Sequence, residues 1–225
     1  MDSCNFSYKH YDEILQNFKN NGYKFGLFDQ ENKGKTVYLR HDLDHSIKKA
    51  LPLSDIERAA NARATYCLRF ASPFDNLFYE ENKSIIYKIL DRGHDLALHY
   101  ERESQDTAEK QLEILKKYFP IKDIISFHRP QDDVFNKKYK NFVNTYDQPF
   151  FGDLTYLSDS TGKWRSGCPC KHKEEGNYQI LTHPVWWGRE EGDACAHLHN
   201  FMRDKMYEWD QIYYDDNPFY TERLK

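Results

Sequence analysis

Short runs of β-branched, aliphatic and aromatic residues alternate along this chain with longer stretches whose apolar positions recur every three or four residues. The first such stretch covers 10–20, with Ile14, Leu15 and Phe18 on one face and Gly22 as its stop. A strand is expected at 36–40, a helix at 46–61, a strand at 65–70, and a helix at 76–90 closed by Gly93. The pattern continues with a strand at 95–99, a helix at 107–118 and a strand at 124–128. A helix over 135–144, strands at 150–156 and 179–182, and a last helix over 194–210 complete it. No internal repeat, low-complexity tract or long linker interrupts the alternation.

Strands alternating with helices at this spacing predict βα units and a largely parallel sheet, in an α/β fold that is either barrel-like or doubly wound. A single domain spanning 1–225 is expected, because a chain of this length can bury one α/β core. In both architectures chemistry collects where the strands end, at their C-terminal edges. The polar clusters of this sequence fall there.

Arg40-His41-Asp42-Leu43-Asp44-His45 directly follows the apolar run Val37-Tyr38-Leu39. Residues two apart on an extended chain share a face, so Asp42 and Asp44 point the same way if the strand continues through them. Two such carboxylates repel unless a cation lies between them or one is protonated. Helix capping at Ser46 accounts for one aspartate but not for the whole run. In the strand at 95–99, Leu96 and Leu98 should face the helices, while Ala97 and His99 face inward, with His99 at the functional end and His94 at the structural one. Ile124-Ile125-Ser126-Phe127 delivers His128 and Arg129, and Gln179-Ile180-Leu181-Thr182 delivers His183. Asp159 and Trp164 follow the strand candidate near 156. A serine nucleophile at Ser126 is not expected, since no oriented base and third group accompany it. His197 and His199 on the last helix read as packing or surface residues.

Composition narrows the partners. The formal charge of −4 creates no field that would gather nucleic acid or anionic lipid. No apolar run is long enough to span a bilayer, and polar residues follow Met1, so a cytoplasmic protein without membrane insertion is expected. The 17 Tyr, 15 Phe and 4 Trp are a high aromatic load for so polar a chain; part of it must be core, and an aromatic cleft for a sugar-like ligand is also compatible. Tyr100, Trp164, Trp186 and Trp187 are the candidate walls, with ordinary packing as their other reading. Cys4, Cys67, Cys168, Cys170 and Cys195 are odd in number and follow no disulfide framework. Cys168-Pro-Cys170 with His172 offers three donors where a closed zinc site uses four, so free loop thiols are expected there.

In order and content these clusters, from about Tyr38 to Trp187, resemble the polysaccharide deacetylase superfamily, which shares the NodB homology domain. The similarity is greatest to a divergent WbmS-like branch found among surface-polysaccharide biosynthesis proteins. The resemblance implies a distorted, incomplete (β/α) barrel and one divalent metal, zinc foremost, with Co2+, Ni2+ or Mn2+ as substitutes. It implies hydrolysis of an N-acyl, typically N-acetyl, group on a sugar or related amide. By matching positions, the resemblance makes Asp42 the general base, Asp44 and His99 metal ligands, and Arg129 the arginine that orients the base. His128, at the rim in the third motif, is taken as the third ligand in place of the family's second histidine. His183 is the general acid, tuned by Asp159. The family's second motif carries two histidines four apart. Here Glu103 stands four residues after His99, which makes Glu103 the substitute ligand should His128 point away. A small-molecule or sugar-linked substrate follows, and with no export signal in the sequence a precursor inside the cell is favoured over a wall polymer. Two other classes remain open: a non-catalytic carbohydrate- or partner-binding member of the same fold, and a metal phosphoesterase.

Overall fold

Helix α1 (Tyr8–Asn20) starts where Ser7 turns extended and its hydroxyl accepts from the His10 amide, and it ends before Gly22, whose φ of +80° suits glycine. The structure, a computed structural model, describes residues 4–30, 34–102, 104–172, 175–217 and 219. After α1 come β1 (Lys24–Gly26), β2 (Thr36–Leu43), α2 (Ala50–Ala59), β3 (Thr65–Arg69), α3 (Glu80–Asp91) and β4 (Asp95–Glu101). Then follow α4 (Ala108–Lys116), β5 (Ile124–His128), β6 (Val143–Asn144), β7 (Thr155–Ser158), β8 (Tyr178–Thr182) and α5 (Ala194–Asp216). No helix among the described residues is long and apolar enough to cross a membrane.

The strands form one parallel sheet in the order β6-β5-β4-β3-β2-β8-β7, with β1 beside the start of β2. The sheet curls. Gln179 on β8 donates to the Thr145 carbonyl just past β6 at 2.8 Å, and Arg40 on β2 donates to the Thr145 hydroxyl at 2.9 Å. Side chains reach between such distant strands only across the inside of a rolled sheet. Among the described residues β6 and β7 do not pair, so the roll is an incomplete, distorted barrel.

Alternation sorts each strand between two environments. Val37, Leu39, Tyr66, Leu68, Leu96, Leu98, Ile125, Tyr178 and Ile180 join the layer between sheet and helices. Tyr38, Cys67, Ala97 and Ile124 face inward and pack with Phe28 to plug the bottom of the roll. Next on the same inward positions come Arg40 and Asp42 on β2, His99 on β4 and Ser126 on β5, all buried. The plug therefore gives way to a polar upper half.

Three expectations of local structure change. The segment 135–144 is not a helix: Asn136 has φ of +56°, and the Asn144 side chain donates to the Val134 and Lys137 carbonyls at 2.8 Å each, closing a loop. Phe135, Tyr139 and Phe142 mimic a helical stripe but pack as ring contacts from that loop. The strand at 150–156 starts only at Thr155, after a 3-10 turn over 148–150 opened by Asp147. Conversely, β2 runs on through Arg40, His41 and Asp42, because each of these charged or polar side chains finds a buried partner.

The partner of His41 is Glu57. His41 faces the helices, and its Nε2 lies 2.5 Å from Glu57, which also accepts from the hydroxyls of Tyr11 at 2.5 Å and Tyr66 at 2.6 Å. Burial alone would raise the Glu57 pKa, but His41, His94 and the tyrosine donors hold it below the usual carboxylate range. A carboxyl depressed in the folded state stabilises the fold above its unfolded pKa of about 4.3, and that contribution fades as pH falls below it. Glu57→Ala is expected to lower unfolding stability by about 3–5 kcal/mol at pH 7 by leaving its donors unpaired. The gap to the unaltered protein should shrink in urea titrations repeated below pH 4; an equal gap at both pH values would refute the charge-based account.

Candidate metal centre

The upper end of the roll gathers Asp44, one residue past β2, with His99 from β4 and His128 from β5. Each offers a ligand atom within 4.8 Å of the others. His99 Nε2 is 2.9 Å from Asp44 Oδ1, and His128 Nε2 is 3.9 Å from the same oxygen. The rings of His99 and His128 meet edge to face at 5.3 Å.

A chain of hydrogen bonds below fixes what His99 presents. Arg40, fully buried, donates to Asp42 Oδ2 at 3.0 Å. Ser126 donates to the same carboxylate at 3.1 and 3.2 Å, so its oxygen is free to accept from His99 Nδ1 at 3.1 Å. Assigned from this network, a proton sits on His99 Nδ1, which turns Nε2 towards a carboxylate oxygen. Both Asp44 Oδ1 and His99 Nε2 are buried and make no hydrogen bond of good geometry. A carboxylate oxygen and an imidazole nitrogen buried so close call for a cation, a proton or a metal ion, between them. Carboxylate and imidazole donors suit a divalent transition metal, and fewer than four protein ligands is the mark of an open, catalytic position. The residues present therefore fit a metal ion.

Electrostatics agree with that donor set. Burial pushes the Asp44 pKa up, but His99, His183 and His128 outweigh it and hold it far below the usual range. Asp42 is likewise buried yet lowered, chiefly by Arg40, then by His99 and His183. Burial, with help from His99 and Arg69, lowers His128, leaving it neutral near pH 7, the form a metal takes. Arg69 and Glu101, paired at 2.5 Å, flank His128, whose Nδ1 is 3.5 Å from Glu101.

On the other side stands His183, whose Nε2 is 3.6 Å from Asp44 Oδ2. Its Nδ1 lies 2.6 Å from Asp159. Asp159 is fully buried and also accepts from the His183 amide at 3.0 and 3.1 Å and from Trp187 Nε1 at 3.0 Å. Burial would lower the His183 pKa; Asp159, then Asp44 and Asp42, overcome this and raise it to about 9.

The remaining residues singled out by sequence divide. Arg129 is exposed, with φ of +49°, and it is Arg40 that pairs with Asp42. Arg129 begins beyond the inward-facing part of β5, whereas Arg40 shares the face of Asp42 by parity. Tyr100 follows His99 by one position and so faces the opposite side, edge on to Phe127 at 5.9 Å. Trp187 is fully buried as the support of Asp159. Trp164 stacks on Phe6 at 6.4 Å, behind the site rather than in it. Of the four candidate aromatics, Trp186 alone reaches the rim, 6.5 Å from the His183 ring and 5.8 Å from His45, with its Nε1 buried and unpaired. His45 in turn lies 4.7 Å from half-exposed Phe74, a residue that no sequence signal marked. Glu103, the substitute ligand, lies outside the described residues.

No protein-family model matches the chain, and no curated protein and no solved structure matches it.

Asp44→Ala and His99→Ala are each expected to remove about one equivalent of bound divalent metal relative to the unaltered protein, read by elemental analysis after dialysis. Tyr100→Phe should remove none. Metal kept in His128→Ala and lost in Glu103→Ala would transfer the third ligand position to Glu103.

Proposed function

We propose that this chain is a metal-dependent amide hydrolase, of the kind the sequence resembles, that removes an N-acyl group, foremost N-acetyl, from a sugar or a related amide during surface-polysaccharide biosynthesis. The observation that carries the reading is the orphaned pair Asp44 Oδ1 and His99 Nε2, with the His183–Asp159 pair beside it. Asp44, His99 and His128 would hold the ion, Zn2+ foremost. When bound, a divalent cation there supplies Lewis acidity, polarising an acyl carbonyl and acidifying water near it.

The chain's own residues supply the proton traffic. Asp42, kept ionised by Arg40 and steadied by Ser126, is the group that accepts the proton of the attacking water. His183, protonated at neutral pH through Asp159, donates from Nε2 to the departing nitrogen, since an amine leaves poorly as its anion. Two titratable groups pushed in opposite directions at one site divide base and acid between them. Ser126 is spent on Asp42 and His99, which favours direct water attack over a covalent serine route. Trp186, His45 and Phe74 form the aromatic rim against which a sugar ring would stack.

Incubation with nucleotide-linked N-acetyl sugars should release acetate, and Asp42→Asn should slow that release by about 10²–10⁴-fold. His183→Ala should slow amide cleavage to a similar extent but spare an aryl ester, whose leaving group departs without a proton. Trp186→Ala should raise KM more than it lowers kcat. Metal binding without turnover of any acylated sugar would leave the chain a carbohydrate-binding member of its fold; activity on polymeric glycans alone would contradict the precursor substrate.

A further inference from the structure

Cysteines 168 and 170 are not isolated loop thiols. The structure brings Cys4 and His10 to them, and one ligand atom from each of the four lies within 4.8 Å of all the others. Cys4 Sγ is 3.4 Å from Cys170 Sγ, and His10 Nε2 is 3.3 Å from Cys168 Sγ. His172, the third donor suggested by sequence, is turned away, its Nε2 2.8 Å from the Ser166 carbonyl. From this geometry we infer that Cys4, His10, Cys168 and Cys170 form a second metal site, a closed three-cysteine, one-histidine centre for a structural Zn2+.

Four soft or borderline donors converging from two distant segments is the composition of a structural zinc site, with no position left for substrate. Tetrahedral bonds of about 2.3 Å to sulfur and about 2.0 Å to nitrogen separate ligand atoms by roughly 3.5–3.8 Å. The two short contacts lie just under that edge, so a small opening of the cluster admits the ion. The free ring nitrogen of His10, Nδ1, is 3.1 Å from Glu13 Oε2. A carboxylate behind a ligating histidine orients the ring and directs Nε2 to the metal. A disulfide explains the cluster less well. The Cys4 and Cys170 sulfurs stand well beyond the about 2.05 Å of a bond, and pairing them would leave a third thiol and the imidazole without a purpose.

The location gives the site a task. It joins the first turn of α1 to the turn at 169–171. Between Cys4 and His10 the chain is laced to the segment after β8: Phe6 donates to the Gly192 carbonyl and accepts from Gly188, and Tyr8 donates to the Gly188 carbonyl at 2.7 Å. Phe6 also packs edge on to Trp187 at 5.2 Å, and Trp187 holds Asp159. The zinc thus anchors the brace behind the acid pair without touching substrate.

Cobalt(II) titration of the full-length, reduced, metal-free protein separates this site from the Asp44 centre, whose ligands include no sulfur. Thiolate-to-cobalt charge-transfer absorption should grow to about one equivalent and be reversed by Zn2+. Cys4→Ser together with Cys168→Ser should abolish it. So that unfolding of those variants does not decide the matter, zinc-edge X-ray absorption of the otherwise unaltered His99→Ala/His128→Ala protein gives a second reading, in which three sulfurs and one nitrogen are expected. Absence of the charge-transfer band in the unaltered protein, a zinc shell without sulfur, or a Cys4–Cys170 disulfide in protein purified under reducing conditions would overturn the assignment.

Discussion

A guanidinium with no access to solvent sits at the middle of the barrel, and the site above it depends on how that charge is satisfied. Arg40 donates to Asp42, to the Tyr146 hydroxyl at 2.7 Å, to Thr145 and to Gln179 at 2.8 Å. Its ring neighbour Tyr146 also lies under the guanidinium carbon at 4.6 Å. Taking such a charge out of water is expensive unless a counter-charge and nearly all its donors are matched. The matching draws on β2, β8 and the chain beyond β6, so the same bonds that satisfy Arg40 hold the sheet rolled. They also oblige Asp42 to be ionised.

From that one carboxylate the order of the upper layer follows. Asp42 aligns Ser126, Ser126 aligns His99 Nδ1, and His99 then turns its Nε2 to Asp44. A second, independent chain runs from Trp187 through Asp159 to His183. The two meet at Asp44, whose carboxylate lies 2.9 Å from His99 Nε2 and 3.6 Å from His183 Nε2. A cation-accepting face and a proton-donating face thus confront each other across a few ångströms, an arrangement useful for polarising one end of a bond while protonating the other.

Much of this was visible in the chain wherever local periodicity carried the information. Leu96 and Leu98 against Ala97 and His99 displayed the two faces of β4 directly, and the polar groups after apolar runs marked the open end. The expectations that changed depended on non-local partners. Arg40 looked like one charge among several in a dense motif, although its parity with Asp42 marked it as a neighbour inside the barrel; Arg129 drew attention only through its place in the resemblance. Trp186 and Trp187 are adjacent and identical in sequence terms, yet one forms the rim and the other is core, because the 3-10 turn at 184–186 rotates them apart. His41 belonged to the same motif as Asp42 but faces Glu57, 16 positions away. Cys4 and His10 lie some 160 residues from their partners, beyond any spacing rule, and only the lacing of the N-terminal segment to the loop after β8 brings them near.

The central claim is that the strand ends of the rolled sheet build an open metal centre on Asp44, His99 and His128. Its most direct measurement is anomalous diffraction at the zinc edge from crystals of the unaltered protein grown with Zn2+. The account predicts a peak bonded to one oxygen of Asp44, to Nε2 of His99 and to the His128 ring, with Nδ1 of His99 still on Ser126. A His99 Nε2 that hydrogen-bonds Asp44 directly, with no anomalous density between the two, would contradict it.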